Sequence, residues 1–272
     1  QTVDALVDLI KKNSSFTIST HKNSDGDGIG SATALYWALK QLKKTVRFSH
    51  VDSIPSRYHF LTQNTDSLLY NPQETKTINS LSTNDVLIIT DTNQGSLCDP
   101  LYSFYKTNKK KIIFIDHHIP LNLNTDNLEN EICHIRTEAS STGEVVFDII
   151  EKLNVKMTTD IAKSIYTSIT FDTQAFKLLR NSSKSHEIAS ILANNNIETD
   201  QIQRELFATW TKEKMSFFSK LIQKTEYYKN DTVAGFCITV NDLKQHHLEM
   251  DQVNDLLDMF SLIKSVTFCY AI

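Results

Sequence analysis

The residues able to do chemistry in this chain stand at the ends of three apolar, strand-like runs. Phe16–Thr20 leads into His21, Asp25 and Asp27; Val86–Thr90 leads into Asp91; Lys111–Ile115 leads into Asp116, His117 and His118. In open α/β sheets ligands sit in the crevice beyond the carboxyl ends of the strands. Strands lying side by side would bring these carboxylates and imidazoles into one crevice. Carboxylates that close drive one another toward protonation. Divalent cations remove the conflict and suit mixed Asp/His ligation. The pattern therefore points to a binuclear metal site, and a metal site on such a sheet points to hydrolysis.

His21-x-x-x-Asp25-x-Asp27 is the strongest local signal. Two carboxylates two residues apart can reach two different ions, and Gly26, Gly28 and Gly30 are expected to let the backbone bend in a tight turn. A dinucleotide-binding loop has different glycine spacing, and two Asp beside a pyrophosphate would repel it. A calcium loop would need a bidentate Glu where Ala34 stands. Helix capping by Asp is the plain alternative, and it leaves the matching strand ends at Asp91 and Asp116 unexplained. Adjacent His117 and His118 point in different directions, so one can ligate metal while the other faces substrate. Asp172 closes a predicted helix, an electrostatically poor place for an anion, which adds weight to a functional role. Arg180-Asn181-Ser182-Ser183 could contact a phosphate or base or form an ordinary turn, and His246-His247 reads as a surface pair.

The elements that must position these residues alternate β and α, which predicts a doubly wound, mainly parallel sheet. Helices are expected over residues 3–10, 29–42, 97–105, 142–153 and 161–170, with a strand at 45–49 and another at 131–135. Residues 55–82 carry few clear signals. Three helical segments between Lys184 and Lys224 read as a linker. From Asp231 the pattern returns to strand, helix, strand. The expected organisation is thus an α/β domain over 1–183, a helical linker over 184–228, and the start of a smaller, incomplete α/β domain over 229–272.

The chain has 272 residues and a net charge of −4. No global basic field exists to hold long nucleic acid by counterion release. No apolar run approaches the roughly 18 residues of a membrane span. Four scattered cysteines without a CxxC pair argue against a disulfide framework and for a reducing, cytoplasmic setting.

Taken together, His21-x-x-x-Asp25-x-Asp27, Asp91, Asp116-His117-His118 and Asp172 resemble, in order and interval, the four signature motifs of the DHH phosphoesterase family. Length and the change of character near residue 230 resemble its DHH/DHHA1 branch, which includes oligoribonuclease / 3′-phosphoadenosine 5′-phosphate phosphatases and dinucleotide phosphodiesterases. Ser140–Glu144 and Phe176–Ser183 also resemble stretches of that branch. The branch's glycine-rich GGGH motif does not occur before Ile272, which leaves substrate choice open. The resemblance implies two divalent ions, Mn2+ before Mg2+. His21, Asp25 and Asp91 would hold one; Asp27, Asp91, His117 and Asp172 would hold the other. It further implies Asp116 as the orienting carboxylate, His118 on the scissile phosphate, and Ser141, Thr142, Arg180 and Asn181 among the substrate contacts. The expected reaction is two-metal hydrolysis of a phosphodiester or phosphomonoester on a short nucleotide. Inorganic pyrophosphate hydrolysis and non-catalytic nucleotide sensing are the alternatives. The expected partner is a short oligonucleotide or nucleotide, without long duplex DNA or membrane; a homodimer is allowed.

Overall fold

Runs of Val, Ile and Leu without polar alternation predict strands buried on both faces, and the computed structural model places them so. It describes residues 2–120, 130–180, 182–208, 210–253, 256–260 and 262–272. The first compact unit spans Gln1–Phe207. Its strands are β1 (Ser15–Thr20), β2 (Thr45–His50), β3 (Ser67–Leu69), β4 (Val86–Thr90), β5 (Lys111–Asp116) and β6 (Glu131–Ile135). They form one parallel sheet in the order β3-β2-β1-β4-β5-β6. The order reverses between β1 and β4, so the crevice of a doubly wound sheet opens at their carboxyl ends.

The helices of this unit are α1 (Val3–Lys12), α2 (Gly26–Gln41), α3 (His59–Thr62), α4 (Thr75–Ser82), α5 (Leu101–Thr107), α6 (Thr142–Lys152), α7 (Thr159–Asp172), α8 (Ser182–Ala193) and α9 (Thr199–Phe207). Side chains alternate across the sheet as a period of two requires. Val86, Ile88, Ile113 and Ile115 join the core that includes α1, α2, α6 and α7. Leu87, Ile89, Ile112 and Phe114 face the opposite cluster with Leu81, Leu101 and Tyr105.

The stretch read as irregular holds β3, α3 and α4. Buried Tyr58, Leu61, Tyr70 and Leu81 fix these short elements by tertiary contact, which local periodicity cannot register. The expected linker is also corrected. Ile188, Leu192, Ile202 and Leu206 of α8 and α9 belong to the first core, whereas α10 (Lys212–Lys224) sends Phe217 and Leu221 into the second.

The second unit spans Ala208–Ile272. It adds β7 (Glu226–Tyr228), β8 (Val233–Phe236), α11 (Val240–Gln245), α12 (Leu256–Phe260) and β9 (Phe268–Ala271), with a sheet ordered β7-β8-β9. The first strand expected after Asp231 is β8, which ends at Phe236. Among the described residues no helix is long and apolar enough to cross a membrane.

Candidate metal centre

Each candidate ligand is delivered by the end of a regular element. His21 follows β1, and Asp25 is the N-cap of α2, its Oδ1 accepting from the backbone of Asp27 at 2.9 Å and Gly28 at 3.1 Å. The capping reading thus holds, and the same carboxylate also groups with His21 and Asp91. Asp91 follows β4 with φ of 64°, a left-handed conformation that Asp tolerates better than most residues. Its N–H donates to Ile115 O at 2.9 Å, which pins that backbone to β5. Asp116 ends β5 and Asp172 ends α7.

The glycines do not make the expected turn. Residues 26–30 are already helical, and none of the described glycines has positive φ. They provide close approach instead. A Cβ on Gly30 would lie 2.5 Å from Ser164 O, and one on Gly28 would lie 2.3 Å from Thr20 Oγ1. Gly30 lets α2 touch the backbone of α7; Gly28 lets α2 start against β1.

The ring nitrogens are oriented by their other partners. His117 Nδ1 lies 3.2 Å from Ala139 O, and His21 Nδ1 lies 2.9 Å from Lys22 O. A carbonyl only accepts, so each Nδ1 carries the hydrogen. Nε2 of His21 then faces Asp91 at 3.4 Å. Nε2 of His117 faces Asp172 at 3.2 Å, Asp27 at 3.5 Å and Asp91 at 3.8 Å. It is buried without a hydrogen-bond partner. A basic lone pair set among carboxylates is the arrangement a cation resolves. Among the described residues, ligand atoms within 4.8 Å of one another form three groups: His21, Asp25 and Asp91; Asp27, His117 and Asp172; Asp91, His117 and His118. The donor set fits hard to borderline divalent ions.

The carboxylates also strain one another electrostatically. Burial, then Asp27 and Asp25, pushes Asp172 up to about 8. Burial and the same neighbours hold Asp91 well above the ordinary carboxylate range, and burial plus Asp27 raises Asp25. Asp116 behaves oppositely. Burial alone would raise it, but bonds from the His118 ring and from the His117 and His118 backbone outweigh that and lower it.

Ser141 and Thr142, expected among the substrate contacts, are fully buried. Ser141 caps α6 by accepting from Glu144 N at 3.4 Å. Thr142 donates its backbone N–H to Asp27 at 2.8 Å and its hydroxyl to Asp91 at 3.1 Å. Gly143 N at 3.2 Å and the hydroxyls of Ser31 and Ser168 complete the hold on Asp27. These groups aim ligands, with the positive end of α6 against an anion. Arg180 does reach the site, its Nη1 donating to His117 O at 2.9 Å and Thr137 O at 3.2 Å. Asn181 lies outside the described residues.

A cavity of about 490 Å3 opens here, lined by His21, Asp25, Asp91, His118, Asp172 and Arg180 together with Thr92, Asn93, Gln94 and Leu97. Thr92, Asn93 and Gln94 follow Asp91 directly and carry no signal beyond that adjacency. Residues 15–169 match the DHH family, N-terminal domain. The chain belongs to the DHH family. The residues of its motifs gather at this crevice. The DHH chain is 24% identical over 244 residues to a membrane protein–large ribosomal subunit bL9 fusion protein of Aster yellows witches'-broom phytoplasma, covering 82% of this chain and 26% of that protein. It is 27% identical over 192 residues to the bifunctional oligoribonuclease and PAP phosphatase NrnA of Thermus thermophilus, covering 68% of this chain and 53% of the relative. It thus spans about half the length of these relatives or less. An exopolyphosphatase-related protein from Bacteroides fragilis shares the fold, with a TM-score of 0.85, 23% identity, and coverage of 97% of this chain and 77% of that one.

Proposed function

We propose that this DHH protein is a divalent-cation-dependent phosphoesterase that hydrolyses phosphodiester or phosphomonoester bonds of short nucleotides. The observation that carries the reading is the clustering of Asp/His groups at a cavity wall: His21, Asp25 and Asp91 in one, Asp27, His117 and Asp172 in another, and Asp91 grouped also with His117 and His118. His21, Asp25 and Asp91 would hold one cation, and Asp27, Asp91, His117 and Asp172 a second, with Mn2+ favoured and Mg2+ accepted by the mixed donors. Bound there, the ions supply an acidified water and neutralise charge developing on the phosphate.

The chain's own residues supply orientation. His118 Nδ1 donates to Asp116 at 2.8 Å, which leaves Nε2 for a phosphate oxygen. Arg180 is held through Nη1 against three backbone carbonyls, which leaves the rest of its guanidinium for an anion. Thr142, Ser31 and Ser168 keep Asp27 from turning. Short substrates are supported by the net charge of −4, which gives no field for a long polyanion, and by the name of the Thermus relative. The four free cysteines support a reducing, cytoplasmic setting.

The test is product release from pyrophosphate, 3′-phosphoadenosine 5′-phosphate, a linear dinucleotide and a 5-mer RNA, with Mn2+ and with chelator. Nucleoside monophosphate from the nucleotide substrates, only with Mn2+, is the expected result. Hydrolysis of pyrophosphate alone would replace this reading with its pyrophosphatase alternative, and nucleotide binding without turnover would replace it with a sensing role.

A further inference from the structure

Asp116 is a wholly buried carboxylate with unequal oxygens. Oδ1 accepts from His117 N at 2.8 Å, His118 N at 3.1 Å and His118 Nδ1 at 2.8 Å. Oδ2 accepts from Asn93 Nδ2 at 2.7 Å. The same amide nitrogen lies 3.4 Å from His118 O. Both partners can only accept, so the orientation of the Asn93 amide is fixed by its surroundings. A carboxylate turns easily about its last torsion. Three donors hold Oδ1, and Asn93 holds Oδ2, so the amide completes the restraint on the plane of the group.

We propose that Asn93 is a positioning residue that sets the tautomer and orientation of His118 through Asp116. The proposal rests on the reading of His118 as the group that meets the phosphate. The chain of bonds runs from the loop after β4 to the loop after β5. Asn93 Nδ2–H holds Asp116 Oδ2; Asp116 Oδ1 then takes the His118 Nδ1 hydrogen; His118 Nε2 is left with its lone pair or an added proton. The two loops also carry Asp91 and His117. The amide thus ties the substrate-facing imidazole to the same frame as the ligands, without itself contributing a ligand atom. Losing its donor would orphan a buried oxygen and free the carboxylate to rotate.

Asn93→Leu keeps the volume and removes the donor, and Asn93→Asp keeps the shape and reverses the polarity. In metal-free protein labelled with 15N-histidine, at a pH alkaline enough to leave the ring neutral, ring spectra should show His118 as a single Nδ1–H tautomer in the wild type and as a mixture in both variants. In Mn2+-loaded enzyme both variants should lower kcat by about 30-fold, as loss of an orienting partner does, with KM and Mn2+ affinity little changed. In a His118→Gln background Asn93→Leu should cost less than about 2-fold, because residues that act as a unit are not additive. An unchanged His118 tautomer, or an equal loss in the His118→Gln background, overturns the proposal. An inactive wild type would refute the esterase reading instead, while the ring spectra still decide the role of Asn93.

Discussion

Asp172→Asn tests whether the acidic crevice is built for cations. Asp172 is held at about 8 by burial and by Asp27 and Asp25, against about 3.9 when unfolded. The native state therefore binds the extra proton. Stability from this group is fully present below the unfolded value and is lost as pH rises toward 8. At about 1.36 kcal/mol per pH unit the full effect is on the order of 6 kcal/mol. Asp172 keeps 28% of its side chain exposed, and it shares the crevice's charge with its neighbours, so roughly 2–3 kcal/mol should be readable. An uncharged Asn escapes that loss. In chelator at pH 8.5 Asp172→Asn should melt roughly 5–10 °C above the wild type, with the gap narrowing as pH falls to 5. With Mn2+ the order should reverse, because the wild type then has a partner for the charge and the variant lacks a ligand. Differential scanning calorimetry on both proteins across this range decides it. A variant no more stable than wild type in chelator at pH 8.5, or a metal-free wild type that gains stability between pH 5 and 8.5, refutes the reasoning.

Three further outcomes follow from the same geometry. Asp91→Ala should abolish turnover and reduce Mn2+ stoichiometry in titration calorimetry, because Asp91 groups with His21 and Asp25 and also with His117 and His118, and is assigned to both proposed ions; near-normal rates would defeat the assignment. Gly30→Ala should destabilise the fold by roughly 1–3 kcal/mol in denaturant titration, since its Cβ would meet Ser164 O at 2.5 Å. Arg180→Ala should raise KM about tenfold, the loss of one charge-assisted contact, while leaving Mn2+ affinity unchanged in calorimetry.

The candidate ligands were legible in the sequence because strand ends are. A run such as Val86–Thr90 followed by Asp91 encodes both an element and the point where it delivers a carboxylate. Hydroxyls were harder. Ser141 and Thr142 were expected among the substrate contacts, and the bonds of Thr142 to Asp27 and Asp91 belong to tertiary structure, which no local pattern reports. The same limit divided the expected linker. An amphipathic helix such as α8 announces that one face is covered, not which core covers it. Asn93 carried no pattern, since its meaning depends on Asp116 across the sheet.

Gly30 sets how the crevice can respond to its occupant. Asp27 rides on α2 and Asp172 on α7, and the two helices meet main chain to main chain beside Ser164 and Ser168. Backbone stands against backbone at Gly30, so a rotamer change at that point does not set the gap. Accommodation of a larger or smaller ion must come from the loops after β1, β4 and β5, so ion-size selectivity should be engineered there and not along the helix pair.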